Sequence, residues 1–143
     1  MKVPQIVIDT NILISARRSK RGASNKLMSL IGTGRFEIHV SVPLVLEYEE
    51  VLRRQRLQLG LSQEKVSALV DAICSLAKHH KIYFLWRPFL RDEKDNFVLE
   101  VAVAAGCDYI ITYNKKDFKG VEEQFGIQVL DAKAFLQEIG ELS

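Results

Sequence analysis

Short apolar runs recur along the chain and alternate with segments that have the spacing of helices. The runs that predict β-strands span residues 6–10, 37–41, 82–86, 109–113 and 127–131. Helical spacing covers residues 24–31, 43–56, 62–79, 95–105 and 132–139. Strands that are apolar on both faces and alternate with helices are typical of a parallel sheet covered by helices. The pattern therefore predicts an α/β fold, a three-layer α/β/α sandwich with a central parallel sheet of about five strands.

Length and composition indicate an ordinary globular protein. The chain has 143 residues, of which 48% are hydrophobic and 27% charged, and this size fits a single domain over residues 1–143. Its net charge of +2 neither demands nor excludes a nucleic-acid partner. The longest apolar run is broken by Glu100 and is too short to cross a membrane, and the N-terminus has no secretory pattern. We therefore expect a cytoplasmic protein with no membrane contact, in which Cys74 and Cys107 are reduced core residues.

Acids and amides follow the predicted strands. Asp9 ends the first strand, and Glu47 lies early in the helix after the second, at the boundary between its apolar and polar sides. Asp95 opens the helix after the third strand, and Asn114 and Asp117 lie in the turn after the fourth. Because the carboxyl ends of parallel strands form the active crevice of open α/β sheets, we expect these side chains to lie near one another.

Each of these acids also has a structural interpretation. Asp95 is placed to cap a helix, Asp9 to stabilise a turn, and Asp117 to be a solvated loop charge. Separate structural roles would not explain why all of them lie at one edge of the sheet. Carboxylates held close together raise one another's pKa, and a divalent cation removes that penalty. Oxygen ligands without a His or Cys cluster favour Mg²⁺ or Mn²⁺, which activates water for phosphodiester hydrolysis.

Basic residues are expected in loops on the same edge. The members of this set are Arg17, Arg18, Lys20, Arg21, Arg87, Arg91, Lys115, Lys116 and Lys119. A positive rim around an acidic pit suits a nuclease, in which the rim binds phosphates and the pit binds metal. For any single member, a solubilising surface charge is the alternative.

Aromatic and histidine side chains near these loops are harder to interpret. Tyr113 has the position to stack on an unpaired base, whereas core packing is favoured for Phe118. Trp86 has the same two interpretations. Adjacent His79 and His80 point apart, so we interpret them as favourable charges at the end of the helix over 62–79.

Three segments in this order resemble the PIN domain. They are "VIDTNILISA" near the start, "SVPLVLEYEEVL" in the middle and "DEKDNFVLEVAVAAGCDYIITYNKKDF" near the end. The resemblance covers residues 4 to about 135 and is strongest to small stand-alone PIN proteins that are toxins of toxin–antitoxin pairs. It implies a metal-dependent endoribonuclease that hydrolyses RNA phosphodiester bonds. It further implies an antitoxin partner and a homodimer.

The resemblance also implies roles for particular residues. Asp9, Glu47 and Asp95 match the first three acids of the family's quartet, with Asp117 near the fourth. Many members carry Asp at the position of Asn114, so the amide here puts a second metal in doubt. The resemblance further suggests that Thr10, Asn11 and Thr112 shape the site or contact phosphate. The predicted substrate-binding set is Thr10, Asn11, Arg17, Arg18, Arg21, Thr112 and Lys115.

Other functions fit the sequence less well. A haloacid-dehalogenase-type phosphatase requires a second acid where Asn11 stands, and a response-regulator receiver requires an acidic pair before Asp9. The stronger alternative is a non-catalytic RNA-binding or protein-interaction module on a PIN fold, which the loss of an acid at Asn114 favours.

Overall fold

The computed structural model describes residues 2–82 and 89–143 and contains a five-stranded parallel sheet. The strands are β1 (Gln5–Ile8), β2 (Glu37–Val40), β3 (Lys78–His79), β4 (Tyr109–Ile111) and β5 (Gln128–Leu130), in the spatial order β3-β2-β1-β4-β5. Every pairing is parallel. The α/β sandwich predicted from the apolar runs is therefore confirmed.

Seven helices lie in the described residues. They are α1 (Thr10–Arg18), α2 (Ala23–Ser29), α3 (Val42–Arg54), α4 (Gln63–Leu76), α5 (Glu93–Ala104), α6 (Val121–Phe125) and α7 (Ala132–Glu138). Helices α1 to α4 lie in the connections that lead from β1 to β2 and from β2 to β3, towards one edge of the sheet. Helix α5 lies in the connection that leads back from β3 to β4, on the other side of β1. Right-handed crossovers in opposite directions put helices on both faces of the sheet, which produces the three layers, and α3 contacts both α1 and α5. None of these helices combines the length and apolar character needed to cross a bilayer.

Strand β1 forms the centre of the sheet and determines where the candidate site lies. Ile6 and Val7 are fully buried because β2 and β4 flank the strand and helices cover both faces. Ile8 pairs with Ile111 of β4, so the residues that follow these two strands emerge side by side. The backbone N–H of Asp9 continues this pairing by donating to the Ile111 carbonyl over 2.9 Å.

The first helix corrects the sequence prediction. The predicted strand over 6–10 ends at Ile8, and Asp9 caps a helix that begins at Thr10. Because Ile12, Leu13 and Ile14 are consecutive apolar residues, they resemble a continuing strand, although the helix buries all three. The prediction that Arg17 and Arg18 lie in a loop is wrong, since both lie in the last turn of α1.

The end of the long helix is also corrected. Helix α4 ends at Leu76 and not at residue 79, because Lys78 and His79 pair with β2 as the edge strand β3. His79 nonetheless contacts the end of α4, because its Nε2 lies 2.7 Å from the Cys74 carbonyl in the last turn. His80 lies against His39 instead, so its interpretation as a charge at a helix C-terminus is wrong. Of the predicted third strand over 82–86, residues 83–86 lie outside the described residues, as does Arg87.

Cys74 is half-buried and Cys107 buried, and both are free thiols in the described chain.

A histidine pair connects β1 and β2 to the residue that follows β3. The Gln5 amide nitrogen donates to the Val3 carbonyl, so its Oε1 accepts from His39 Nε2 at 2.5 Å. His39 Nδ1 must then accept from His80 Nε2, which lies 2.7 Å away. Burial lowers the pKa of His39, and the nearby His80 and Lys78 lower it further while Glu37 opposes them. The fold therefore holds His39 neutral.

We expect this pair to make the protein less stable in mild acid. The pKa of His39 in the folded state lies below that of an unfolded histidine, so the unfolded chain takes up the proton first and stability falls as the pH drops below about 6.5. His39→Gln should lower the free energy of unfolding by about 1–2 kcal/mol at neutral pH through lost hydrogen bonds. In the variant, the free energy of unfolding should also decline less than in the wild type between about pH 7.5 and pH 5, as measured by urea denaturation.

The matched control is Ser75→Ala, which removes an exposed hydroxyl that donates to the Ala72 carbonyl. Because serine does not titrate, this variant should retain the wild-type slope of stability against pH. An equal slope in the wild type and His39→Gln would contradict the role assigned to His39.

Candidate active site at the carboxyl edge of the sheet

Asp9 is the buried carboxylate at the centre of the candidate site, with only 8% of its surface exposed. Its Oδ1 accepts from the Thr10 backbone N–H at 2.8 Å, which caps α1. Its Oδ2 accepts from the Thr112 hydroxyl at 2.8 Å and from the Asn11 amide at 3.3 Å. The carboxylate is thus held in one orientation by residues from two adjacent strand ends.

Asn11 and Thr112 extend this network across the sheet edge. Asn11 donates to the Thr112 hydroxyl at 3.2 Å and accepts from the Tyr113 backbone N–H at 3.1 Å. The backbone N–H of Asn114 donates to the same hydroxyl oxygen at 3.0 Å. Thr112 is fully buried, and the structure brings it together with Asn11 and Asp9 as the sequence suggested. Asn11 therefore holds the turn after β4 against the start of α1.

A second pair of acids stands at the N-terminus of α5. Asp92 is the N-cap and accepts from the Lys94 backbone N–H at 2.9 Å, so the structural interpretation of Asp95 as the cap is wrong. Asp95 instead lies half-buried in the first turn of the helix. Sequence reasoning missed Asp92, because the predicted start of the helix was two residues too late.

The buried Asn96 amide anchors the segment before this helix. Its Oδ1 accepts from the Leu90 backbone N–H and its Nδ2 donates to the Leu90 carbonyl, both at 3.0 Å. The same Nδ2 lies 3.3 Å from the Asp92 carbonyl. Asn96 therefore fixes the backbone that presents Asp92 to the site.

The carboxylates act on one another electrostatically. Burial and, to a smaller extent, the charges of Asp9, Asp92 and Asp117 together raise the pKa of Asp95 to about 7. Burial also raises the pKa of Asp9, and Asp117 and Asp92 add to the increase, although hydrogen bonds from Thr112 and Thr10 oppose it. Such mutual repulsion is the signature expected of acids gathered for a cation.

Glu47 is held separately from these aspartates. It is 8% exposed on α3, and its Oε1 lies 3.7 Å from the Lys94 ammonium of α5. Burial raises the pKa of Glu47, while Lys94 lowers it. Sequence reasoning placed Glu47 on the boundary of the helix but missed Lys94, whose contact depends on the packing of α3 against α5.

A cleft beside the site carries both acids and bases, and we call it the acidic cleft. Its lining residues are Phe89, Leu90, Arg91, Asp92, Asp95, Lys116, Asp117 and Lys119. Asp117 is exposed in the 3₁₀ turn Lys115–Phe118, which follows Asn114. The predicted positive rim therefore includes Arg91, Lys116 and Lys119.

Other predicted basic residues lie farther away. Arg18 is eight residues beyond the start of α1, which corresponds to about 12 Å along the helix axis. Arg21 is exposed between α1 and α2, and Lys115 is exposed but does not line the acidic cleft. Phe118 is buried in the core, as favoured from the sequence.

The donor set fits a hard divalent cation. The side chains at this sheet edge are carboxylates, an amide and a hydroxyl, and His39 and His80 pair with each other elsewhere. Among residues 2–82 and 89–143, no three His, Cys, Asp or Glu side chains lie close enough together to hold one ion in direct contact. Mg²⁺ commonly binds through one or two carboxylates and retains several waters, so it does not require three direct carboxylate ligands.

The fold and these strand-end acids define an α/β protein with a carboxylate site at the open edge of its sheet. A family model of the PIN domain matches residues 5–116. The chain belongs to the PIN-domain family. It has no match among curated proteins.

Solved structures with the same fold include two VapBC proteins. VapBC2 from Rickettsia felis, bound to a DNA fragment from their promoter, is 13% identical with a TM-score of 0.57 over 89% of this chain and 97% of that chain. VapBC-1 from nontypeable Haemophilus influenzae is also 13% identical, with a TM-score of 0.58 over 90% of this chain and 98% of that chain. At this identity the similarity establishes the fold alone.

Proposed function

We propose that residues 1–143 form one metal-dependent endoribonuclease domain that hydrolyses RNA phosphodiester bonds. The observation that carries the proposal is the buried Asp9 carboxylate, oriented by Thr112 and Asn11 and coupled by charge to Asp95. Burying an oriented carboxylate within reach of other acids costs stability, and binding a cation would offset that cost. Membership of the PIN-domain family supports a nuclease activity.

The proposed metal-site residues are Asp9, Glu47, Asp95 and Asp117, with Asn114 as a neutral member. One or two of the carboxylates would bind the cation directly, and the others would bind it through its retained waters. A bound Mg²⁺ or Mn²⁺ supplies an activated water and positive charge beside the phosphate. Thr10 and Thr112 keep the Asp9 oxygens in place through their hydrogen bonds. The four acids are therefore the proposed catalytic residues.

The proposed substrate-binding residues surround these acids on two sides. Thr10, Asn11 and Thr112 lie at the strand ends, and Lys115 follows in the next turn. Arg17 and Arg18 stand in the last turn of α1 and Arg21 in the loop after it, where they would contact phosphates distant from the cleaved bond. Single-stranded RNA is the proposed substrate.

A protein partner is part of the proposal. The resemblance of three segments of the sequence to PIN proteins that are toxins supports a toxin role for this chain and an antitoxin that binds it. We further propose that the chain forms a homodimer.

Cleavage of an end-labelled single-stranded RNA tests the proposal. The wild type should cleave the RNA in Mn²⁺ or Mg²⁺ and not in EDTA. Asp9→Asn, purified identically, should show no cleavage above background, because the amide carries no charge to bind the cation. Equal cleavage by both proteins would indicate a contaminating ribonuclease. Binding of RNA by the wild type without cleavage in either metal would favour the non-catalytic module.

A further inference from the structure

A second groove begins at the same strand ends and runs beside α1. Its lining residues include Asn11, Ile14, Arg18, Val51, Gln55 and Tyr113, and we call it the α1 groove. Asn11 connects it to the candidate active site, because the same amide contacts Asp9 at 3.3 Å. An extended ligand bound near Asp9 would therefore enter this groove without leaving the protein surface.

Tyr113 forms a rigid aromatic wall of the α1 groove. Its hydroxyl lies 2.5 Å from the hydroxyl of Ser24, which is buried in α2. Its backbone N–H donates to Asn11 Oδ1 at 3.1 Å. Although both ends of the residue are anchored, 43% of its surface remains exposed. An aromatic ring that is already ordered can stack on a ligand with little further loss of conformational entropy.

The charge of the α1 groove differs from that of the acidic cleft. Arg18 is the one charged side chain among the described residues that line it, and its Nη2 donates to Gln55 Oε1 at 3.1 Å. Ile14 and Val51 supply apolar surface, and Asn11 and Gln55 supply amide groups. An aromatic wall, amide hydrogen-bonding groups and one cation match the π-face, polar edge and phosphate of a nucleotide.

We propose that the α1 groove binds one unpaired nucleobase of the RNA substrate, stacked on Tyr113, with Arg18 against a neighbouring phosphate. This inference rests on the proposed ribonuclease function and deepens it, since it assigns a subsite for an unstacked base next to the cleavage site. A base inside a duplex cannot present its face to Tyr113. The subsite therefore selects single-stranded or looped RNA.

The first test measures the dissociation constant of a fluorescent single-stranded RNA of about ten nucleotides by anisotropy, with Ca²⁺ in place of Mg²⁺. Tyr113→Phe keeps the ring and should bind within about twofold of the wild type, whereas Tyr113→Leu should bind about tenfold more weakly or worse. Leu57→Ala is the control, because Leu57 is 78% exposed and does not line the groove. Melting temperatures establish that each variant is folded.

A second experiment measures the dissociation constant of the same RNA with abasic residues in place of its nucleotides. Loss of the bases should weaken wild-type binding by about the same factor as Tyr113→Leu, and the two proteins should bind the abasic RNA equally. Arg18→Gln should reduce the slope of log Kd against log salt concentration by about one, which is the change expected for one lost phosphate contact.

The outcomes separate this proposal from the one on which it rests. Metal-dependent cleavage by the wild type, with equal RNA affinity in the wild type and Tyr113→Leu, would overturn the base subsite and leave the nuclease intact. That result would also be expected if the groove served a protein partner. Failure of the wild type to bind or cleave RNA would overturn both proposals.

Discussion

Asp95→Asn is expected to lower the rate of metal-dependent RNA cleavage by about a hundredfold or more and yet to stabilise the metal-free protein above neutral pH. The loss of rate follows because the variant lacks the charge that helps to hold the cation. The gain in stability follows because burial and the charges of Asp9, Asp92 and Asp117 raise the pKa of Asp95 to about 7. Opposite effects on activity and stability are what a functional carboxylate cluster predicts.

The sign of the stability change depends on pH. Since the folded state holds the Asp95 proton more tightly than the unfolded state does, the wild type loses stability as pH rises from about 4 to about 7. Partial exposure screens the effect, so at about pH 8 Asp95→Asn should gain only about 1–2 kcal/mol, or about 3–6 °C in melting temperature. The gain should disappear near pH 4. A variant that is less stable than the metal-free wild type at pH ~8 would contradict this electrostatic account.

Asn96→Leu is expected to cause the largest loss of stability among the substitutions considered, about 2–4 kcal/mol in the free energy of unfolding. Leucine has a similar size but cannot form hydrogen bonds with the Leu90 N–H and carbonyl. Because Leu90 is buried, these two backbone groups would lose their hydrogen-bond partner in the variant. Urea denaturation at neutral pH measures the loss. Asn25→Leu is the control, because it removes only one hydrogen bond, to the Ala16 carbonyl. Equal losses in the two variants would contradict the anchoring role of Asn96.

Asn96→Leu should also weaken metal binding where the protein remains folded. Asn96 holds the backbone before α5, and that backbone carries Asp92 and precedes Asp95. Loss of a residue that positions ligands commonly reduces metal affinity by about 10–100-fold. An unchanged affinity in the folded variant would mean that Asn96 stabilises the fold without positioning the site.

The sheet could be predicted from sequence because its signal is local. The runs ending in Ile8 and Ile111 are apolar on both faces, which parallel burial requires. Helix α1 was missed because three consecutive apolar residues have no helical period. Strand β3 was missed because His79 joins the sheet through its pairing with Val40, a contact between distant parts of the chain.

The candidate site was predictable to the extent that strand ends define it. Asp9, Asn11 and Thr112 meet as the topology requires. The catalytic role of Asp9 and the substrate-binding roles of Asn11 and Thr112 stay predictions. Asp92 was not identified from the sequence, because its capping role depends on which residue begins α5. Lys94 was not identified either, because its contact with Glu47 depends on the packing of α3 against α5. Helix boundaries and contacts between helices are set by tertiary structure more than by local pattern.

Direct Mn²⁺ binding tests the central claim, that the acids at this sheet edge form a metal site. Electron paramagnetic resonance of free Mn²⁺ would be recorded during titration of the wild type, Asp95→Asn and Asp71→Asn, where Asp71 is an exposed acid of α4. The account predicts saturable binding by the wild type and Asp71→Asn, and affinity at least about tenfold weaker in Asp95→Asn. Equal binding by all three proteins, or none by the wild type, would contradict it.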